Sequence, residues 1–201
     1  LNPCQEFFQR QRDPKELGPE LRSLAHETIL PWELQSASEQ SPSSIQNDEL
    51  LYRQMLDPVH WNSQKHEFTP GAFTDVDSIG MSVNRIKFTT LEDLACRALE
   101  RVVKHKQIYP ERPPRTFLGF TVLRCFEIRE QMLQTENGEL LRLFGVFDTA
   151  SLEDKSHADI CRLSGKESDK LHKARAKSIL WELGNQYLVN KAGQQVPLHE
   201  F

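Results

Sequence analysis

Apolar residues recur at helical spacing in three stretches of the chain and bunch into short runs between them. Leu21, Leu24, Ala25 and Ile29 predict a helix over residues 20–30, stopped by Pro31, which pushes the residue before it out of helical geometry. Leu91, Leu94, Ala95, Ala98, Val102 and Val103 predict a second helix to about residue 104. Thr89 with Glu92, or Thr90 with Asp93, stands at capping-box spacing to open it. Leu171, Ala174, Ala176, Ile179, Leu180, Leu183 and Tyr187 predict a third over residues 168–188, with Lys170, Lys173 and Lys177 facing outward. A short helix is expected through Ala158, Ile160, Cys161 and Leu163, ending at Ser164-Gly165.

The runs at residues 50–55 and 79–83 read as strands. Residues 117–128 and 140–147 read as the arms of an antiparallel hairpin. Asn137-Gly138 supplies the positive φ that a tight hairpin turn needs. Trp61, Phe68 and Phe73 are expected to pack an ordered loop around the Pro70-Gly71 turn. The Ser/Pro/Gln stretch at residues 36–44 is polar enough to read as a linker. The expected organisation is an N-terminal helical arm with its linker (residues 1–45), a domain over residues 46–190 and a tail over residues 191–201. The fold class is α+β, a small antiparallel sheet or hairpin flanked by two or three helices.

Composition narrows the function classes. Lys and Arg number 25 against 29 Asp and Glu, for a net charge of −4, and 38% of residues are hydrophobic. No apolar run approaches the ~18 residues a membrane-spanning helix needs. The first residues have neither the basic nor the apolar region of a secretory signal. Cys4, Cys96, Cys125 and Cys161 form no Cys-x-x-Cys pair, and Cys96 and Cys125 read as small buried hydrophobes. These features predict a cytoplasmic protein with no membrane partner, no metal and no cofactor.

No phosphate loop, nucleophile elbow, zinc-protease motif or dinucleotide fingerprint is present. His60, Trp61 and His66 are close enough to be acid–base groups, but without a nearby nucleophile they read as loop-packing residues. Arg53, Ser82 and a later carboxylate, Glu127 or Glu139, imitate the Arg, Ser, Glu order of ADP-ribosyl-transfer enzymes, which gives an alternative catalytic set of Arg53, Ser82 and Glu127. Two basic stretches interrupt the acidic chain: Arg101, Lys104, Lys106, Arg112 and Arg115, then Lys166, Lys170, Lys173, Arg175 and Lys177. Phosphate-backbone binding is one use for them, but on an acidic chain an acidic protein surface is the more natural target.

Four motifs carry a resemblance: Leu51-Tyr52-Arg53, His60-Trp61, Thr69-Pro70-Gly71-Ala72-Phe73 and Met81-Ser82-Val83-Asn84-Arg85. Ser156-His157-Ala158-Asp159-Ile160 and the Lys/Arg/Ala-rich helix after it extend the likeness. Residues 50–188 thus resemble a group of small, uncharacterised bacterial proteins of defence and accessory operons. One setting it suggests is the accessory set of a CRISPR effector–protease system, where small proteins bind one another and a sigma factor. The resemblance implies a non-catalytic accessory protein that binds a protein partner in antiviral defence. The outward row of Lys170, Lys173 and Lys177 is the expected contact with an acidic partner. An ADP-ribosyltransferase-like toxin or degenerate relative is the alternative, and a nucleic-acid-binding module is the third option.

Overall fold

The computed structural model describes residues 1–10, 13–165, 170–184 and 187–198, without the side chains of Pro14 and Pro70. Lys166 and positions 168, 169, 185 and 186 of the expected 168–188 helix lie outside these residues, as do positions 199–201 of the expected tail; Tyr187 is not helical and Leu188 belongs to a strand. The fold is α+β and antiparallel. Its centre is β1 (Leu50–Asp57), paired on one side with β5 (Thr116–Arg124) and on the other with β4 (Met81–Arg85). The sheet continues from β4 to β9 (His157–Arg162) and β8 (Phe144–Phe147), and from β5 to β10 (Leu188–Val189) and β11 (Gln195–Val196). That makes seven strands among the described residues, in the order β11-β10-β5-β1-β4-β9-β8. Two small hairpins stand apart, β2 (Trp61–Asn62) with β3 (Glu67–Phe68) and β6 (Met132–Gln134) with β7 (Leu140–Arg142).

The helices are α1 (Pro3–Arg10), α2 (Leu17–Ser23), α3 (His26–Ile29), α4 (Leu91–Ile108), α5 (Cys125–Arg129) and α6 (Lys170–Gly184). Directly paired residues share a sheet face and alternate along each strand. One face carries Leu51, Met55, Met81, Val83, Leu123, Val146, Ala158 and Ile160, all buried. It is covered by α6, through Ala176 and Leu180, and by the 3-10 segment Pro70–Asp77, through Ala72, Phe73 and Val76. Gly184 lets α6 approach β5: a Cβ there would stand 2.7 Å from Thr121 Oγ1, whose hydroxyl donates to the Gly184 carbonyl. Trp61 and Phe68 meet edge-on, 5.3 Å apart, at the rim of this core, so the loop packs as its aromatics predict.

Several sequence expectations need correction. Residues 158–162 are not a helix: they belong to β9, where His157-Ala158-Asp159-Ile160 alternates polar and apolar but Cys161, buried under the N-terminal segment on the polar face, breaks the alternation and leaves an apolar spacing that also fits a helix. The Asn137-Gly138 turn exists, with Gly138 at φ 80, but it joins β6 to β7. The 117–128 run instead pairs with β1 and β10 up to Arg124 and then turns into the helix α5, so its partners are distant strands and not a following hairpin arm. The expected 20–30 helix is broken where Leu24 turns extended (ψ 152), and Pro31 sits in the first turn of a 3-10 segment, where its missing N–H costs nothing. The second helix runs on to Ile108 and is capped by Thr90, which accepts from the Asp93 N–H at 3.0 Å. Val103, Leu171 and Cys96 are exposed rather than packed. Residues 195–196 of the expected tail pair with β10.

Residues 1–45 do not stand apart as an arm. Cys4, Phe7, Leu17, Leu21, Ile29, Trp32 and Ala37 are buried against Phe147, Cys161 and Leu163 of the second sheet face. Glu33, 3% exposed, accepts from Val146 N at 2.6 Å and pairs with Arg129 and Arg142. The polar stretch at 36–44 is held by Arg85, which is fully buried. Its guanidinium donates to the Ser43 and Ser44 carbonyls at 2.6 and 3.1 Å, to Glu49 at 2.7 and 2.8 Å and to Asp148 at 2.8 Å. A linker whose carbonyls solvate a buried cation is an ordered part of the core.

Arg85→Ala leaves Glu49 and Asp148 without their shared cation and is expected to cost about 3–5 kcal/mol in urea unfolding. Adding Asp148→Asn to that variant should recover part of the loss, since it removes one stranded carboxylate.

Candidate functional site

The second sheet face is covered twice, by separate parts of the chain. At the β10–β5–β1 end, α4 buries Leu94 and Ala95 against Tyr52, Phe120 and Val189. At the β8–β9 end the N-terminal segment covers Phe147 and Cys161. Between the two covers, β4 and β9 present Ser82, Asn84, His157 and Asp159, cross-strand pairs that share this face. This strip is polar and belongs to neither apolar cluster. Recesses of about 350, 330 and 530 Å³ open along it, and His157 borders all three. A groove therefore crosses the face between α4 and the N-terminal segment.

Its chemistry is set by a parting of two strands. β1 and β4 pair only at Leu51–Arg85 and Tyr52–Asn84. Beyond that point the Arg53 guanidinium fills the gap. It donates to the carbonyls of Ala72 at 2.9 Å and Ser82 at 3.1 Å and pairs with Asp75 at 3.3 Å. Burial pushes its pKa down, opposed by the Asp75 carboxylate. Arg101, Arg115 and His60 complete the wall of the 350 Å³ recess, in which Asp75, already engaged by Arg53, is the acidic residue. His60 Nδ1 accepts from the Leu56 N–H at 3.2 Å, so the neutral ring carries its proton on Nε2. Burial, followed by the charges of Arg53 and Arg115, lowers the His60 pKa to about 4. The wall is thus cationic on a chain of net charge −4.

On the floor, His157 Nε2 lies 3.1 Å from Ser82 Oγ, and its Nδ1 lies 2.9 Å from Thr149 Oγ1. Thr149 donates to Asp159 at 2.6 Å. Among the described residues, no three His, Cys, Asp or Glu side chains gather as metal ligands.

The sequence candidates scatter around this site. Arg53 and Ser82 come together, but through the Ser82 backbone carbonyl. Glu127 does not join them. It lies on α5, 3.7 Å from Arg124, past the end of β1 where Leu50 pairs with Arg124. Glu139 is exposed at the end of the β6–β7 turn. Lys170 is exposed and Lys173 and Lys177 are half-buried on α6, a helix of the opposite sheet face. Arg101 and Arg115 belong to a basic stretch that the sequence does single out. Thr149, His157 and Asp159 do not emerge as a site. The spacing His157-x-Asp159 places both side chains on one face of a strand, a signal lost when the segment is read as a helix.

Since the unfolded His60 titrates near 6.5 and the folded ring near 4, the unfolded state takes up the proton first. The stability this group contributes is complete above about pH 6.5 and is lost as pH falls towards 4. The His60 Cε1–H resonance should titrate near pH 4, and Arg115→Ala should move that midpoint upward.

No protein-family model, curated protein or solved structure matches this chain.

Proposed function

We propose that the protein is a binding module that captures an acidic segment of a protein partner in the groove between α4 and the N-terminal segment. The observation that carries this reading is the convergence of Arg53, Arg101 and Arg115 on one recess, with Asp75 already paired. Arg115 stands half-buried in that wall. A cationic recess on an anionic chain concentrates field locally, so an acidic ligand is steered to the groove while the rest of the surface repels it. Three buried thiols and one exposed thiol are free among the described cysteines, and no described helix is long and apolar enough to cross a membrane. Both support a cytoplasmic setting. The role as an accessory protein of prokaryotic antiviral defence, with other accessory proteins or a sigma factor as partner, rests on the resemblance of the 50–188 motifs.

The α6 row of Lys170, Lys173 and Lys177 is a separate surface. A fluorescein-labelled octaglutamate peptide distinguishes the two by anisotropy. Binding to the full chain should be saturable and weaken with salt, and Arg101→Glu with Arg115→Glu should weaken it about tenfold or more. Charge reversal at Lys170, Lys173 and Lys177 should leave it unchanged. The reverse pattern would place capture on α6, and no saturable binding would end the proposal.

A further inference from the structure

The hydrogen bonds on the groove floor run in one direction. An ionised carboxylate only accepts, so the Thr149 hydroxyl places its single proton on Asp159 Oδ2, 2.6 Å away. Thr149 Oγ1 is then left to accept, and its partner at 2.9 Å is His157 Nδ1. The His157 proton therefore sits on Nδ1, and the Nε2 lone pair faces the Ser82 hydroxyl at 3.1 Å. Asp159 Oδ1 competes for the same hydroxyl from farther off, at 3.4 Å. Ser82 is exposed to the groove, while the His157 and Asp159 side chains are 26% and 11% exposed. A hydroxyl facing a base that a third group holds in the right tautomer is the arrangement that activates a serine.

Capture of an acidic segment calls for charge alone and gives this chain of bonds no task. We propose that Ser82 is a nucleophile, with His157 as its general base and Thr149 and Asp159 as positioning residues, acting on carboxylic esters of anionic ligands. Only the word anionic rests on the capture reading. In the first step Ser82 Oγ bonds to the ester carbonyl carbon while its proton passes to His157 Nε2. The bond to the leaving alcohol then breaks, and that oxygen takes the proton from Nε2. Water, deprotonated in turn by Nε2, attacks the acyl-serine. Its collapse releases the carboxylic acid and returns the proton to Ser82. The Arg53 guanidinium, 3.1 Å from the Ser82 carbonyl, stands beside this centre, and Arg101 and Arg115 line the same recess. Fixed positive charge of that kind stabilises the oxyanion formed in each attack.

The test uses two activated esters, neutral p-nitrophenyl acetate and anionic p-nitrophenyl succinate, with the full chain. Nitrophenolate release is followed, and peptide mapping locates the acyl group. Acylation is expected at Ser82, and Ser82→Ala should abolish it there. His157→Gln should slow it about a hundredfold or more. Thr149→Val leaves Ser82 and His157 in place and should slow it about tenfold, which keeps the proposal testable should the His157 variant fail to fold. Arg115→Ala should reduce the rate with succinate by a larger factor than the rate with acetate. If that preference is absent while Ser82 is still acylated, the capture reading fails and the nucleophile stands. No acyl group on Ser82 with either ester, or an unchanged rate at Ser82 in both the His157 and the Thr149 variants, overturns the proposal.

Discussion

One buried cation organises the whole molecule. Arg85 closes β4 with no exposed surface, and a guanidinium there must be solvated by the protein or not be buried at all. The chain meets that requirement with Glu49 from before β1, Asp148 from after β8 and two backbone carbonyls from the polar stretch before β1. Three distant segments are thereby tied to one strand. Burial works against the arrangement, pushing the Asp148 pKa up to about 6 in spite of the adjacent Arg85; at Glu49 burial is again the largest influence, but the hydrogen bonds from Arg85 and the Gln46 N–H and the charges of Arg85 and Lys87 together overcome it and lower the pKa. The Glu33 cluster with Arg129 and Arg142 repeats the device one step away, fastening the N-terminal segment to β8 and α5.

The groove follows from these ties. With the N-terminal segment held over β8 and β9, and α4 packed over β1 and β5, the same sheet face is covered at both ends and open over its middle strands. Residues at the open strip need not be apolar, so Ser82, His157 and Asp159 can stand there and hydrogen-bond one another. The parting of β1 from β4 adds Arg53, whose buried charge is balanced on one side by Asp75 and directed on the other towards Ser82. Floor and wall thus have separate origins: strand alternation sets the polar floor, and incomplete strand pairing sets the cationic wall.

The sequence by itself determined the α+β class, the α4 start at Thr89 or Thr90, the strands at β1 and β4, the Asn137-Gly138 turn and the packed aromatic loop. Each rests on a local rule, a cap, an alternation or a turn dihedral, that neighbouring residues satisfy without help. Only the tertiary structure decided which strands pair, because β5 reads the same whether its partner is β1 or a following hairpin arm. It also decided that β9 is a strand, since Cys161, buried on the face that carries His157 and Asp159, breaks the alternation, and with that went the local sign of their site. Most of all it decided the fate of residues 36–44. Polar side chains mark a segment as a linker only if its backbone has water to bond, and here the backbone bonds instead to Arg85, a partner about forty positions away that no local pattern announces.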